Sequence, residues 1–409
     1  MHAANKSSIS VLGTIILRLK STASKRETIQ MTYITGNVSK LFLSLEACIE
    51  LGLLHDSFPS IPKAISDSVH EVTNVNSTPE EDRPCRCPTR SLPPPVPTTL
   101  PLPATEENRT KLEEHLRDMY RASTFNVCEH QTLPLMSGPP LRLAIDTEAT
   151  PTAHHNPIPV PLHWQDQVKQ GLDRDVRLGV IEQVPIGTPT TWCHRMVICP
   201  KKNGSLRRTI DFQALNKHAT RETHHTQSPF HQARSVPKEK KKTIFDAWNW
   251  YHSVALHQDD RHYTTFITPW GRYRYMTAPQ GYIASGDGYT SRYDGIVAHH
   301  KRNTKCIDDS LLWSDDITQA FMDAANWLTT CGNNGITLNP DKFRFAEDNV
   351  EFAGFEITTT SVKPCKKYTK AIKDFPTPTN LTDIRSWFGL VNQISYTFSM
   401  TSVMLPFRN

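Results

Sequence analysis

Apolar positions in residues 150–409 recur in turn with the period of helices and with the period of strands. Val168, Leu172 and Val176 lie four residues apart ahead of Gly179, which predicts an amphipathic helix that ends at a glycine cap. Two later apolar stripes predict further helices: Phe321, Ala324, Ala325 and Leu328, followed by Ile384, Trp387, Phe388, Val391 and Ile394. Each stripe needs a partner surface that covers it.

Strand signals separate these helices. The β-prone segments 192–199 and 206–212 flank Asn203-Gly204, a pair that favours a tight hairpin turn. A third β-prone segment covers residues 350–357. Helices and hairpins that alternate without a regular strand–helix–strand repeat predict an α+β fold.

Proline marks the main boundary along the chain. Nine of the 30 prolines fall within residues 79–103, and such a run favours an extended linker because each ring fixes φ. The residues before it predict a small β-rich piece, and those after it predict a charged connection with a short helix at 105–120. We therefore divide the chain into five segments: 1–75, 76–104, 105–149, 150–370 and 371–409.

Length, charge and cysteine content narrow the function classes. A chain of 409 residues is long enough for two or three domains, and its net charge of +5 permits nucleic-acid binding without arguing for it. Nine scattered cysteines fit reduced thiols better than a disulfide framework. Because the sequence shows neither a signal peptide nor a long apolar segment, we expect a soluble cytoplasmic or nuclear protein with no membrane partner.

Three aspartates stand out by their surroundings. Asp246 ends the apolar run 243–245, and Asp308-Asp309 lie between two apolar segments. Neighbouring residues of a strand face opposite ways, so an acidic pair inside an apolar hairpin should lie at its turn. Burying like charges requires a cation or a proton, and two divalent metal ions supply that charge while activating an attacking oxygen. Because aspartate is also common in ordinary turns, the pair alone does not decide between the two interpretations.

Further motifs follow one another between His155 and Phe398. In order they are PKKNG at 200–204 with RRTIDFQALN at 207–216, FDAWNWYHSV at 245–254, FITPWGRY at 266–273, APQG at 278–281, CIDD at 306–309, and LNPDK at 338–342 with FAGF at 352–355. This ordered set resembles the fingers, the palm and the start of the thumb of the reverse transcriptase of gypsy-like LTR retrotransposons. It resembles the retroviral enzyme more distantly.

The resemblance implies a right-hand polymerase with an antiparallel palm sheet backed by helices, in which residues 150–370 form fingers and palm and 371–409 begin the thumb. Asp246, Asp308 and Asp309 would be the catalytic residues. They would also hold two Mg²⁺ ions, or Mn²⁺, for nucleotidyl transfer onto a primer 3′-hydroxyl. The primer grip would consist of Phe352, Ala353 and Gly354.

The resemblance also implies a nucleotide pocket. Lys201 and Arg207 would contact the phosphates of a deoxynucleoside triphosphate, while Tyr251 would pack under its sugar and Gln280 would line the same pocket. Each residue has a plainer interpretation, because basic turns are usually solvated and aromatic rings usually belong to the core. The polymer partner would be an RNA/DNA template–primer, and the sequence leaves the oligomeric state open.

The segment 1–75 resembles part of the element's retropepsin-like protease. The match covers residues 43–52, near the point where that fold closes. The Asp-Thr/Ser-Gly motif that supplies the catalytic aspartate is missing from the sequence. We therefore expect a partial remnant without protease activity.

Two positions depart from the family pattern. Cys306 stands where the acidic motif has tyrosine, and Trp250 stands where a glycine precedes Tyr-His. A small-to-large change beside the nucleotide pocket costs about 1–3 kcal/mol or blocks the pocket.

The sequence therefore predicts a truncated RNA-directed DNA polymerase of a retrotransposon Pol polyprotein, and it leaves the activity of this copy open. A catalytically decayed nucleic-acid-binding remnant is the alternative interpretation. A metal-dependent nuclease that uses the same three aspartates is a weaker one.

Overall fold

The computed structural model of the chain describes residues 12–21, 25–34, 43–54, 89–200, 204 and 206–395. Contacts between Cα positions divide the chain into two units, Met1–Pro84 and Cys85–Asn409, which are described separately. Within the described residues, no helix is both long and apolar enough to cross a membrane.

The first unit contains an antiparallel hairpin and one short helix. Strands β1 (Gly13–Lys20) and β2 (Glu27–Ile34) pair along their whole length, with Gly13 opposite Ile34. Helix α1 (Leu45–Glu50) begins at Ser44, whose hydroxyl accepts a hydrogen bond from the backbone N–H of Ala47 at 3.1 Å. The expected small β-rich piece is therefore present.

The second unit contains eight helices and twelve strands among its described residues. The helices are α2 (Arg109–Met119), α3 (Leu162–Arg177), α4 (Gln213–Asn216), α5 (Pro229–Arg234), α6 (Ser285–Val297), α7 (Ile317–Asn333), α8 (Lys366–Lys373) and α9 (Leu381–Gln393). The strands are β3 (Ile181–Gln183), β4 (His194–Pro200), β5 (Leu206–Ile210), β6 (Lys241–Asp246), β7 (Phe266–Thr268), β8 (Gly271–Tyr275), β9 (Asn303–Cys306), β10 (Asp309–Ser314), β11 (Arg344–Glu347), β12 (Val350–Phe352), β13 (Phe355–Ile357) and β14 (Val362–Pro364). Short 3₁₀ helices cover Glu106–Asn108, Trp250–Ser253 and Gln258–Thr264.

Four antiparallel strands form the palm sheet in the order β11-β6-β10-β9. The apolar stripe predicted for one helix lies in α7, where it packs against this sheet and is fully buried: Phe321, Ala324, Ala325 and Leu328. The α+β fold, with an antiparallel palm sheet backed by helices, is therefore confirmed.

The fingers contain a five-stranded sheet in the order β3-β8-β7-β4-β5, in which β4 and β7 run parallel. The predicted hairpin is β4–β5, with Met196 opposite Ile210. Helix α3 buries Val168 and Leu172 in the core of this region. A third sheet, β12-β13-β14, lies between the palm and helix α8 in the chain.

The segment before the fingers belongs to the palm core. Helix α2 and the turn after it bury Leu112, Leu116, Tyr120 and Phe125 in the same cluster as α7. The Tyr120 hydroxyl donates to the carbonyl oxygen of Ala325 at 3.0 Å. The first part of segment 105–149, which the sequence describes only as a charged connection with a short helix, thus covers one face of the palm.

Candidate active site at the end of the palm sheet

The three aspartates meet where β6 and β10 end together. Asp309 lies directly opposite Asp246 across the two strands, and it also pairs with Cys306, the last residue of β9. Asp308 precedes β10 in the turn, where its carbonyl oxygen accepts a hydrogen bond from the N–H of Ala247 at 3.0 Å. The acidic pair therefore lies at a hairpin turn, as its position between two apolar segments predicts.

The turn itself has only two residues, Ile307 and Asp308. Ile307 has a φ of 58°, which places a β-branched residue in the left-handed region. This conformation is unfavourable for such a side chain and requires support from the surrounding structure.

The carboxylates of the three aspartates lie close together and partly buried, so their negative charges repel one another. Burial, the charges of Asp308 and Asp246, and a hydrogen bond to Asp246 together raise the pKa of Asp309 to about 7. Burial also raises the pKa of Asp308, and the charge of Asp246 adds to the shift. With a pKa of about 7, Asp309 is partly protonated at neutral pH.

Lys342 compensates the charge of Asp246. Its ammonium Nζ lies 2.7 Å from Oδ2 of Asp246, whose side chain is 7% exposed. Burial lowers the pKa of Lys342, but the hydrogen bond and the ion pair with Asp246 outweigh burial, so the pKa is raised overall. This lysine belongs to the LNPDK motif, to which the sequence assigned no individual role.

The donor set suits hard divalent cations, because three carboxylates supply the oxygen ligands that Mg²⁺ and Mn²⁺ accept. Among the described residues, no three His, Cys, Asp or Glu side chains yet converge in a metal-binding arrangement. Lys342 occupies one oxygen of Asp246, and Asp309 carries part of a proton. The donor types of these residues therefore fit divalent cations.

Tyr251 lies beside the aspartates in the 3₁₀ turn Trp250–Ser253. Burial raises the pKa of its hydroxyl, the charge of Asp308 adds to the shift, and Arg207 on β5 opposes it. The phenol is therefore within electrostatic reach of both an aspartate and a fingertip arginine. Lys201 lies outside the described residues.

The indole of Trp250 covers one face of Tyr251. The two ring centroids are 3.5 Å apart with an interplanar angle of 25°, and the indole also lies 4.6 Å from the ring of Tyr289. Trp250 is partly buried against the palm core. The indole thus lies between two tyrosine rings and fills the space beside Tyr251.

Gln280 lies in the loop after β8, which two elements hold in place. The N–H of Ala278 donates to the carbonyl oxygen of Val254 at 2.8 Å. The Asn216 side chain donates to the carbonyl oxygen of Gly281 at 2.9 Å and accepts from the N–H of Ile283 at 3.0 Å. Asn216, the last residue of the DFQALN-type motif, therefore positions the loop that carries Gln280.

The residues assigned to the primer grip form the turn between β12 and β13. Ala353 and Gly354 both have positive φ angles, of 51° and 90°, and Phe352 pairs with Phe355. Phe352 is 2% exposed, so a ligand can reach this segment only at Ala353 and Gly354, which are half-buried. Gly354 permits close approach of Tyr368, whose ring atom Cε2 would lie 3.2 Å from an added Cβ.

Comparison with known proteins agrees with this arrangement. Residues 199–357 match the family of reverse transcriptases (RNA-dependent DNA polymerases). Residues 199–357 of this chain therefore match a reverse transcriptase domain. The Pol polyprotein of transposon opus from Drosophila melanogaster is 24% identical over 270 residues, which cover 63% of this chain and 26% of that protein. The Tf2-3 transposon polyprotein of Schizosaccharomyces pombe is 24% identical over 307 residues, which cover 73% of this chain and 22% of that polyprotein.

The chain thus spans about a quarter of the length of these curated relatives. Foamy viral protease–reverse transcriptase bound to RNA/DNA hybrid superimposes with a TM-score of 0.60 at 19% identity, covering 70% of this chain and 38% of that one. A complex of the same viral protein with double-stranded DNA gives 0.63 at 16% identity, covering 94% and 63%. The expected family and the fingers-and-palm fold are therefore confirmed.

Sequence reasoning missed two groups of residues around the site of this reverse transcriptase domain. Tyr289 and Tyr293, one turn apart on α6, are fully buried, and burial raises the pKa of both far above the usual value. Lys305 on β9 is also buried, next to the acidic turn. The i, i+4 spacing of the two tyrosines was a signal for a buried helix face. Nothing in the local sequence marks Lys305 as buried.

Proposed function

We propose that this chain is the RNA-directed DNA polymerase part of a retrotransposon Pol polyprotein. One observation carries the proposal: within a reverse transcriptase domain, Asp246, Asp308 and Asp309 are brought together at one end of the palm sheet. The reaction is nucleotidyl transfer from a deoxynucleoside triphosphate to a primer 3′-hydroxyl.

Asp246, Asp308 and Asp309 would hold two Mg²⁺ ions, for which Mn²⁺ can substitute. Such ions lower the pKa of the attacking hydroxyl and neutralise charge on the leaving phosphates. Lys342 keeps Asp246 charge-compensated until then, since its ammonium already neutralises this carboxylate. Partial protonation of Asp309 relieves part of the remaining repulsion.

The nucleotide would lie between the fingertip hairpin and the palm. Arg207, with Lys201, would contact the triphosphate, because guanidinium groups bind phosphate oxygens in pairs. The electrostatic reach from Arg207 through Tyr251 to Asp308 supports this placement. Tyr251 would pack under the sugar and exclude a 2′-hydroxyl, and Gln280 would line the same pocket.

The template–primer would lie across the palm, with the backbone of 352–354 against the primer. The similar viral protein is described in complex with RNA/DNA hybrid and with double-stranded DNA. We extend this binding to the present chain. For the first unit we retain the proposal of a partial retropepsin-like remnant without protease activity, and for the whole chain a cytoplasmic or nuclear location.

Primer extension on an RNA template tests the polymerase proposal. The purified chain should incorporate deoxynucleotides in the presence of Mg²⁺, and Asp308→Asn should lower the rate at least about a thousandfold because it removes a metal-binding charge. Asp166→Asn makes the same change on the exposed face of α3 and should leave the rate unaltered. A folded chain that incorporates nothing, or Asp308→Asn that matches the native rate, would contradict the proposal.

A decayed nucleic-acid-binding remnant is the second candidate, and the stacking of Trp250 on Tyr251 favours it. If the indole only blocks the pocket, Trp250→Gly should lower the KM for deoxynucleotides about tenfold. In that background, Tyr251→Ala should raise the use of ribonucleotides relative to deoxynucleotides. A remnant should instead bind template–primer with salt-dependent affinity and show no turnover in any of these variants.

A further inference from the structure

Lys305 is a buried lysine in the strand that leads into the acidic turn. Its side chain is 5% exposed, and burial lowers its pKa. Lysine is almost never buried without a partner, since removing an ammonium from water is costly. Lys305 lies on β9, two residues before Ile307, so the free-energy cost of burying its ammonium arises next to the catalytic aspartates.

The ammonium has three partners. It donates a hydrogen bond to the carbonyl oxygen of Ile307 at 3.1 Å, and it pairs with Oδ1 of Asp294 at 3.1 Å. It also lies 4.8 Å from the ring centroid of Tyr293, in cation–π contact. Asp294 and Tyr293 both belong to α6, so Lys305 connects this helix to the turn.

Helix α6 is itself fixed at this point. The second carboxylate oxygen of Asp294 accepts from Nε2 of His224 at 2.7 Å. The Tyr293 hydroxyl lies 3.1 Å from the Ser310 hydroxyl on β10. The partners of Lys305 are therefore held on both sides and provide a rigid anchor.

The turn needs such an anchor because of Ile307. This residue is at a φ of 58°, and its side chain is 44% exposed, so side-chain packing does little to hold it. A β-branched residue leaves the left-handed region unless its backbone is held there. Lys305 holds the backbone of Ile307 through its hydrogen bond to the Ile307 carbonyl oxygen.

We propose that Lys305 is a positioning residue that keeps the Ile307–Asp308 turn in its strained conformation and thereby sets the direction of the Asp308 carboxylate. This inference rests on the proposed polymerase function of the aspartates. Lys305 does not contact the reacting atoms, because its ammonium is directed to Ile307, Asp294 and Tyr293.

Four variants test the proposal: Lys305→Met, Ile307→Gly, the two combined, and Lys301→Met as a control. Lys305→Met removes the ammonium and keeps a chain of similar length. Ile307→Gly lets the backbone adopt a φ near 58° without strain, so the turn no longer depends on an anchor. Lys301 is exposed in the loop before β9, where the same substitution removes an ammonium that lies in water.

Primer extension should reveal the coupling. Lys305→Met should lower kcat about tenfold, the usual effect of losing a charged hydrogen bond, while KM for the nucleotide stays within about twofold. In the Ile307→Gly background, the same substitution should lower kcat by no more than about twofold. Lys301→Met should behave like the native chain. If Lys305→Met lowered kcat equally in the native and the Ile307→Gly backgrounds, the proposal would be overturned. A lysine that only supported the core would give that result, because a glycine in the turn cannot replace it.

Amide hydrogen exchange gives a readout that needs no activity. Peptides covering residues 305–310 should exchange about tenfold faster in Lys305→Met and remain unchanged in Lys301→Met. Unchanged exchange in Lys305→Met overturns the proposal even if the chain proves inactive, in which case the polymerase assignment fails separately. If Lys305→Met does not fold, the double variant should fold, and failure of both also overturns the proposal.

Discussion

Two hairpin turns of this domain have the same length and differ in how they are supported. Ile307–Asp308 joins β9 to β10 at the acidic site, and Ala353–Gly354 joins β12 to β13 at the proposed primer grip. Each turn starts with a non-glycine residue at positive φ, 58° for Ile307 and 51° for Ala353.

The primer-grip turn depends more on its own sequence than the acidic turn does. Glycine occupies its second position at a φ of 90°, which costs no strain, and the carbonyl oxygen of Gly354 accepts from the N–H of Cys365 at 3.0 Å. The acidic turn contains instead a β-branched residue and an aspartate followed by another. It depends on Lys305 and on the N–H of Ala247, which come from elsewhere in the fold. The acidic turn thus takes more of its stability from tertiary contacts than the primer-grip turn does.

The largest expected difference between the two turns is their response to pH. The pKa of Asp309 is about 7 in the folded chain against an ordinary value of 3.8, so the folded state binds the proton more tightly than the unfolded state. The contribution of Asp309 to the free energy of unfolding is fully present below about pH 4. It falls by about 3 kcal/mol, after allowance for partial exposure, as the pH rises to about 7. Urea unfolding without divalent ions at pH 5 and pH 8 measures the loss.

Asp309→Asn is the control for this pH effect. The amide keeps a donor toward Asp246 and has no charge to bury, so the variant should lose much less stability over the same range. An equal pH dependence in the variant and the native chain would assign the effect to other groups.

A loss of stability of intermediate size is expected from a substitution in the primer-grip turn. Gly354→Ala places a Cβ at a φ of 90° and within 3.2 Å of Tyr368, which should lower the free energy of unfolding by about 2 kcal/mol. Gly286→Ala is a matched control, because an added Cβ there meets nothing within 4 Å and φ is not positive. Thermal unfolding of both variants measures the difference in stability. Equal stability of the two variants would show that the primer-grip turn does not require glycine at position 354.

The smallest effect is expected at Ile307. Ile307→Gly relieves strain and adds chain entropy to the unfolded state, so we expect a net gain of about 1 kcal/mol in the free energy of unfolding. The opposite signs of Ile307→Gly and Gly354→Ala would sharpen the comparison. A loss of stability in Ile307→Gly would show that this turn is not strained.

Much of the palm was predictable from local patterns. The apolar stripe 321–328 required a buried helix, and the Asn203-Gly204 pair required a hairpin between β4 and β5. The position of Asp308-Asp309 between apolar segments located the acidic turn, because alternation along a strand leaves no other place for the pair.

The segment before the fingers was less predictable. Leu112, Leu116 and Tyr120 are four residues apart and all buried, yet charged residues between them make the segment resemble a linker. Their burial depends on α7, which follows about two hundred residues later in the chain. A stripe of three residues does not reveal its partner.

The sequence by itself determined the order of the motifs, the family, the buried helix at 321–328, and the acidic pair at a turn. These features follow from short-range periods and turn chemistry, which neighbouring residues decide. Only the tertiary structure decided that Lys342 pairs with Asp246, that Asp309 holds a proton near neutral pH, that Trp250 stacks on Tyr251 and that Lys305 is buried under Ile307. Burial and the charges of residues distant in sequence set these properties, because the energy of a charge depends on the solvent and partners around it.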